Sequence, residues 1–331
     1  MINRRSFLAG TAAALAVPAL AQSPAKLRVQ CGWIANVEYA GVWEAMEHGY
    51  FRAAGVDVTA MPGGPNAPPA AVVVASGKAE IGYTTWLPFL DAVAKGNRFV
   101  MIAATFPRSP LGIISLPKKP LRKPADLVGA KILAQGANEQ SAMDATLALA
   151  GLPKQWTMVP TGFSPEPLLA GDADGYTAFE VNQTITLERM GLKRDKDFFF
   201  TSFDELGFKA YTSIVFTTQE VLRAQRPAML GYLKGLVKGW RDVEADPAGA
   251  AKLVVEKYGV DFGLDLAQQT RQAQLEIPLL RVAGQQKLLV IDRVLMAGPM
   301  AAAAKATGRS MPEDLDSIAD FRLAEAANEA A

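Results

Sequence analysis

The sequence predicts an α/β protein of two lobes, each a mainly parallel sheet flanked by helices, with the chain crossing between them at two hinge segments. Three observations lead there. Short β-like runs alternate with helical stretches from residue 26 to 216, the alternation that builds parallel sheets. The chain has 331 residues, half of them hydrophobic, and the roughly 310 that follow a leader-like segment suit about two domains. Two stretches read as links between lobes: the basic, proline-punctuated 118–124 and the segment 205–208. They divide the chain into a first lobe of residues 25–116 plus 212–331 and an inserted second lobe of residues 117–211.

Residues 1–21 place Arg4 and Arg5 before an uncharged run that ends in Ala19-Leu20-Ala21. That is the pattern of a signal peptide cleaved after Ala21, too short for an ordinary membrane span of ~20 apolar residues. The paired arginines followed by Ser6-Phe7-Leu8 favour the twin-arginine route, although Asn3 departs from its usual residue. Strands are expected at 26–30, 56–61, 80–83, 99–104, 112–115, 131–134, 157–159, 176–179, 198–201 and 211–216, where β-branched and aromatic residues cluster between turn formers. Helices are expected at 38–53, 67–76, 87–94, 139–149, 165–170 and 183–190, from apolar residues at helical spacing and frequent trailing glycines. From 219 to 308 the chain reads almost wholly helical, with breaks at Arg226-Pro227, Asp246-Pro247 and Tyr258-Gly259.

Composition narrows the function. The chain carries 34 basic and 33 acidic side chains, and loss of Arg4 and Arg5 leaves a net charge near −1. No bulk field recruits a nucleic acid or an anionic membrane. One cysteine, Cys31, and one histidine, His48, exclude an internal disulfide, a multi-thiolate cluster and a site built on several imidazoles. Cys31 reads as a buried strand residue, and Arg28-Val29-Gln30 before it does not form a lipid-attachment box. The mature chain is therefore expected without stable membrane insertion and without a cofactor. His48 stands near a helix end, where a partial positive charge suits the dipole.

The stretch from Gly32 through Trp33, Asn36, Tyr39 and Gly41 to Glu47-His48-Gly49-Tyr50-Phe51, followed by Gly55-Val56-Asp57-Val58, resembles the opening motif of periplasmic substrate-binding proteins of ABC importers. The relevant superfamily binds pyrimidine precursors, riboflavin, sulfonates and nitrate. Gly63-Gly64-Pro65, Ala75-Ser76-Gly77-Lys78-Ala79-Glu80-Ile81-Gly82, the segment Lys123 to Lys131 and Gly171-Asp172-Ala173-Asp174-Gly175-Tyr176 continue the resemblance in order. It covers nearly the whole mature chain and thins in the helical last third. The resemblance implies a periplasmic-binding-protein fold that closes on a small-molecule ligand, an extracytoplasmic location, and partners in an ABC permease and its ATPase. This chain has no phosphate loop to act as that ATPase.

By the family pattern, Trp33, Asn36 and Tyr39 are pocket residues at the carboxyl end of the first strand, where open α/β sheets place ligands; Trp33 as core and Asn36 as a helix cap are the plainer alternatives. Gly64 permits close backbone approach or simply turns the chain. Trp86 occupies the next comparable turn and serves as pocket wall or as core. In the second lobe Asn138 lies at a helix start, where free N–H groups can hold acceptors, while Glu139 beside it opposes an anion. Glu180 and Asn182 follow a strand opened by Tyr176; they are ligand contacts if the strand end faces the cleft, and otherwise a solvated acid, a helix cap and a core tyrosine. The expected ligand is an aromatic nitrogen heterocycle, a thiamine-pyrimidine precursor or flavin-like ring. The alternative is a sulfonate, nitrate or carboxylate, for which only Arg108 and Lys209 offer a nearby cation. A third, enzymatic reading follows from pyrimidine-forming relatives, but their cysteine-rich segment is absent and no catalytic triad or dinucleotide loop is readable.

Overall fold

The structure is a computed structural model that describes residues 23–64, 66–282 and 284–331; the leader expected over 1–21 lies outside the described residues. Among the described residues, ten strands form two five-stranded sheets. The first contains β1 (Ala25–Gln30), β2 (Val56–Met61), β3 (Ile81–Thr84), β4 (Phe99–Phe106) and β10 (Thr212–Thr218), in the order β2-β1-β3-β10-β4. The second contains β5 (Leu111–Ser115), β6 (Lys131–Ala134), β7 (Thr157–Pro160), β8 (Gly175–Phe179) and β9 (Phe199–Ser202), in the order β7-β6-β8-β5-β9.

The two sheets share one logic. β1 pairs in parallel with β2 and β3, and β6 with β7 and β8. β10 runs antiparallel to β3 and β4, and β5 to β8 and β9. Four strands of each sheet therefore point one way, and the odd strand is the one that has just entered from the other sheet. A strand fed directly from its neighbour lobe arrives without a crossover helix, so it runs antiparallel.

β5 lies in the second sheet, so the first crossing is residues 107–110 and the second is 203–211. The second matches the expected link at 205–208. The first corrects the expected link at 118–124 and moves residues 111–116 out of the first lobe. That basic stretch is a surface turn of the second lobe, held by Lys119 on Asp174 at 2.8 Å and by Leu121 N–H donating to Ser115 Oγ at 3.0 Å. Its Lys-Pro punctuation marks a turn, whereas Pro107 and Pro110 bracket the true passage.

Every expected strand forms, within two residues at its ends. The helix expected over 38–53 is split: it runs as Ala40–Glu47 and Tyr50–Ala53 because Gly49, at φ 68°, breaks it. The helical last third holds Arg226–Ala245 and Leu266–Glu276 but is interrupted over 280–282 and 284–292. There Leu288, Leu289, Val290 and Ile291 are buried without helix: Leu289 accepts from Ala104 N–H at 3.1 Å. Further on, Ala319 bridges Met101. These segments cover the outer edge of β4, leaving no bare strand there.

One core packs Trp43, Phe51, Tyr232 and Trp240 beneath the first sheet. A second is continuous across the crossings, joining Trp86, Phe89 and Phe216 of the first lobe to Ile113, Ile132 and Met143 of the second. The second-lobe helix Ala137–Leu149 packs on Trp86–Ala94 and Ala301–Ala306. Among the described residues, no helix is long and apolar enough to cross a membrane.

Candidate functional site

A cleft of about 360 Å³ opens between the sheets, within the ~300–1,000 Å³ range of small-molecule sites. Its first-lobe wall comes from the loops after β1, β2 and β3 and from the start of β10. Its second-lobe wall comes from the loops after β6 and β8. These are the carboxyl ends of the parallel strands, plus the entry end of the antiparallel one, where unpaired backbone and helix starts converge.

Trp33, Asn36, Tyr39 and Gly64 line the first-lobe wall, and Asn138 and Asn182 the second. Asn36 also caps the turn after it, its Oδ1 accepting from Glu38 N–H at 3.0 Å. Tyr39 Oη accepts from Gly32 N–H at 3.1 Å, and its ring meets Tyr83 edge-on at 5.3 Å. Trp33 faces Phe163 of the second lobe edge-on at 5.1 Å, so two aromatic rings meet across the cleft.

Trp86, Tyr176 and Glu180 are corrections. Trp86 is 1% exposed, and its indole N–H donates to Met300 carbonyl at 3.0 Å, turned into the core shared by the lobes. Tyr176 is buried in the second-lobe core with its hydroxyl on Gly162 carbonyl at 2.8 Å. β8 contributes to the cleft wall only from Thr177 to Phe179, its carboxyl end, and Tyr176 stands one position too early. Glu180 is turned outward to an ion pair with Arg194. Arg108 and Lys209 do not line the cleft either.

Among the cleft residues that escaped the sequence reading, Glu38, Ser213, Gln272 and Gln135 bear most on its chemistry. Glu38 is 6% exposed, with its Oε1 accepting from Ser213 Oγ at 2.7 Å. Ser213 holds φ 55°, a left-handed backbone that costs energy for a non-glycine residue and is kept where surroundings over-determine it. Gln272 comes from the helix Leu266–Glu276 and Gln135 from the end of β6. Glu38 lay inside the opening motif and carried a signal, an acid where the chain enters a pocket. Gln272 carried none, because nothing in a helical repeat tells which face meets a distant cleft.

Polar side chains tie the lobes together. Thr85 Oγ1 donates to Asn138 Oδ1 at 2.5 Å, Asn182 Nδ2 to Gln272 Oε1 at 2.6 Å, and Gln268 Nε2 to Thr186 Oγ1 at 3.0 Å. Gln272 donates in turn to Glu276 Oε1 at 2.7 Å, and Glu276 Oε2 is buried without a partner among the described residues.

The charges are one-sided. Glu38 and Glu139 line the cleft, and among the described residues no Lys, Arg or His does. Burial pushes the Glu38 carboxyl up to about 7, against the pull of the Ser213 hydroxyl. Burial likewise raises Glu139, opposed by the Asn138 amide, and raises Glu276 well above the usual carboxylate range. Such a site prefers hydrogen-bond donors and positive charge to a second anion.

Comparison with curated protein sequences finds no match. Among solved structures, a Bordetella bronchiseptica RB50 protein has a TM-score of 0.70 at 21% identity, over 93% of this chain and 98% of that one. The alkanesulfonate-binding protein SsuA from Xanthomonas axonopodis pv. citri, bound to MOPS, has 0.64 at 18%, over 90% and 99%. The desulfurization enzyme DSZB has 0.56 at 13%, over 92% and 99%. These likenesses establish the periplasmic-binding-protein fold, which a binder and an enzyme share. With its cleft between two sheets of that fold and residues 36–250 matching the family model described as NMT1/THI5 like, the chain belongs to the NMT1/THI5-like family.

Proposed function

We propose that the protein is an extracytoplasmic solute-binding component of an ABC importer, not an enzyme, and that it captures a flat nitrogen heterocycle bearing N–H donors. An aminopyrimidine of the thiamine-precursor class fits this description best. The observation that carries the reading is the charge of the cleft: two acids, no cation among the described residues, and aromatic rings at Trp33 and Tyr39. Ring amino groups would donate to Glu38 and Glu139, the amides of Asn182 and Gln135 would read the ring edge, and Trp33 would cover a face. Closure of the second lobe over the ring would expel water and strengthen each polar contact. Delivery to a permease and its separate ATPase, and export by the leader-like residues 1–21, belong to the same proposal.

A sulfonate is the second reading, favoured by the fold's likeness to a sulfonate binder and by the helix start at Ala137, whose N–H groups border the cleft. Glu139 in that same first turn weighs against it. Thermal unfolding of residues 22–331 with aminopyrimidines, flavins, sulfonates, nitrate and carboxylates tests both. A ligand at 100 times its dissociation constant stabilises by about 2.7 kcal/mol. A rise in midpoint with aminopyrimidines supports the proposal; a rise with sulfonates alone replaces it.

A further inference from the structure

On the first lobe, the helix Ala40–Glu47 starts beside the cleft and ends about 12 Å away along its axis. At that far end Glu44 and His48 stand one turn apart, and Asp242 reaches them from the helix Arg226–Ala245, which packs along the first. His48 Nδ1 lies 2.8 Å from Asp242 Oδ2 and 3.6 Å from Glu44 Oε2. All three donor atoms fall within 4.8 Å of one another. Ligand atoms at ~2.0–2.2 Å from one ion sit about 3–3.5 Å apart, so small side-chain adjustments bring this set to a common centre.

Two further features point to a cation here. The Glu44 side chain is only 8% exposed and makes no hydrogen bond among the described residues, although a buried carboxylate is costly unless a positive charge compensates it. The imidazole opposite is 48% exposed, so it shields that carboxylate poorly. Tyr50 Oη donates to Asp242 Oδ2 at 2.7 Å, the outer hydrogen bond that fixes a ligating carboxylate. Around the cluster, Glu47 and Asp246 add negative charge. Lys257 is engaged with Glu47, and Lys238 stands 5.9 Å from the Tyr50 ring centre.

We propose that Glu44, His48 and Asp242 form a site for a divalent first-row transition ion of the zinc type, which fastens the helix Ala40–Glu47 to the helix Arg226–Ala245. One imidazole nitrogen with two carboxylate oxygens suits zinc or cobalt better than magnesium or calcium, which favour all-oxygen shells. The site is separate from the solute cleft and does not depend on the identity of the solute.

His48 is the only histidine of the chain, so its ring ¹⁵N resonances report on this site alone. The untagged protein, stripped with chelator, is titrated with Zn²⁺ and with Co²⁺. One equivalent of Zn²⁺ should move the His48 ring signals, Co²⁺ should give a visible ligand-field band, and the unfolding midpoint should rise. Glu44→Gln and Asp242→Asn, which keep the side-chain shapes, should each weaken binding by about 10-fold or more, and Tyr50→Phe by less. Zn²⁺ binding that leaves the His48 signals unmoved, no binding at all, or undiminished affinity in Asp242→Asn overturns the proposal.

Discussion

Glu38→Gln should make the empty protein more stable at alkaline pH and worse at holding its solute. The Glu38 carboxyl titrates at about 7 in the fold, against 4.5 for the ordinary group. Between those values the folded state holds a proton that the unfolded state has lost. Stability from this group is therefore greatest below pH 4.5 and is lost as pH rises to 7. At about 1.4 kcal/mol per unit, the loss is about 3 kcal/mol. Glutamine keeps an acceptor for Ser213 Oγ and never ionises. Its charge-free side chain also relieves Glu276, whose raised carboxyl is pushed up partly by Glu38. Urea unfolding at pH 5 and pH 8 should thus show the variant gaining about 3 kcal/mol on the parent between the two conditions. The same change replaces a charge-assisted hydrogen bond worth about 1.5–3 kcal/mol, so aminopyrimidine affinity at pH 8 should fall by roughly 10- to 100-fold. Parallel stability curves for the two proteins would refute the buried-acid argument, and unchanged affinity would refute the role of Glu38 in binding.

Trp86→Ala should cost about 3–5 kcal/mol of stability with little change in solute affinity, because Trp86 fills the core shared by the lobes; Trp33→Ala, which removes a half-buried ring and its edge contact with Phe163, should cost clearly less stability than that and weaken an aromatic solute about 10-fold, both readable by calorimetry. Gly239→Ala should destabilise by about 3 kcal/mol or more in urea unfolding, because its Cβ would stand 2.0 Å from the Gly41 carbonyl oxygen where two helices touch backbone to backbone.

Much of the fold was legible locally. The ten strands follow from β-branched and aromatic runs set between turn residues. The opening motif pointed to the first-lobe wall because Trp33, Asn36 and Tyr39 stand three residues apart within one short strand-to-helix turn. The errors arose where a local feature has two spatial outcomes. Trp86 stands at a strand end like Trp33, yet its ring is claimed by the core between Met300 and Phe89. Tyr176 and Thr177 are neighbours, and only the packing of the two lobes decides that the cleft wall begins at Thr177. The link at 118–124 has the composition of a hinge, but strand pairing of β5 with β8 and β9 decides where the chain crosses.

The sequence alone determined the α/β class, the strands and the region of the first-lobe wall, because these rest on side-chain periodicity and short-range turn chemistry. Tertiary structure alone decided that Gln272 reaches the cleft, that Glu38 is buried against Ser213, and that no cation among the described residues joins it. Burial and charge balance are properties of segments brought together from more than 170 positions apart, as Glu38 and Ser213 are, and no local pattern encodes them.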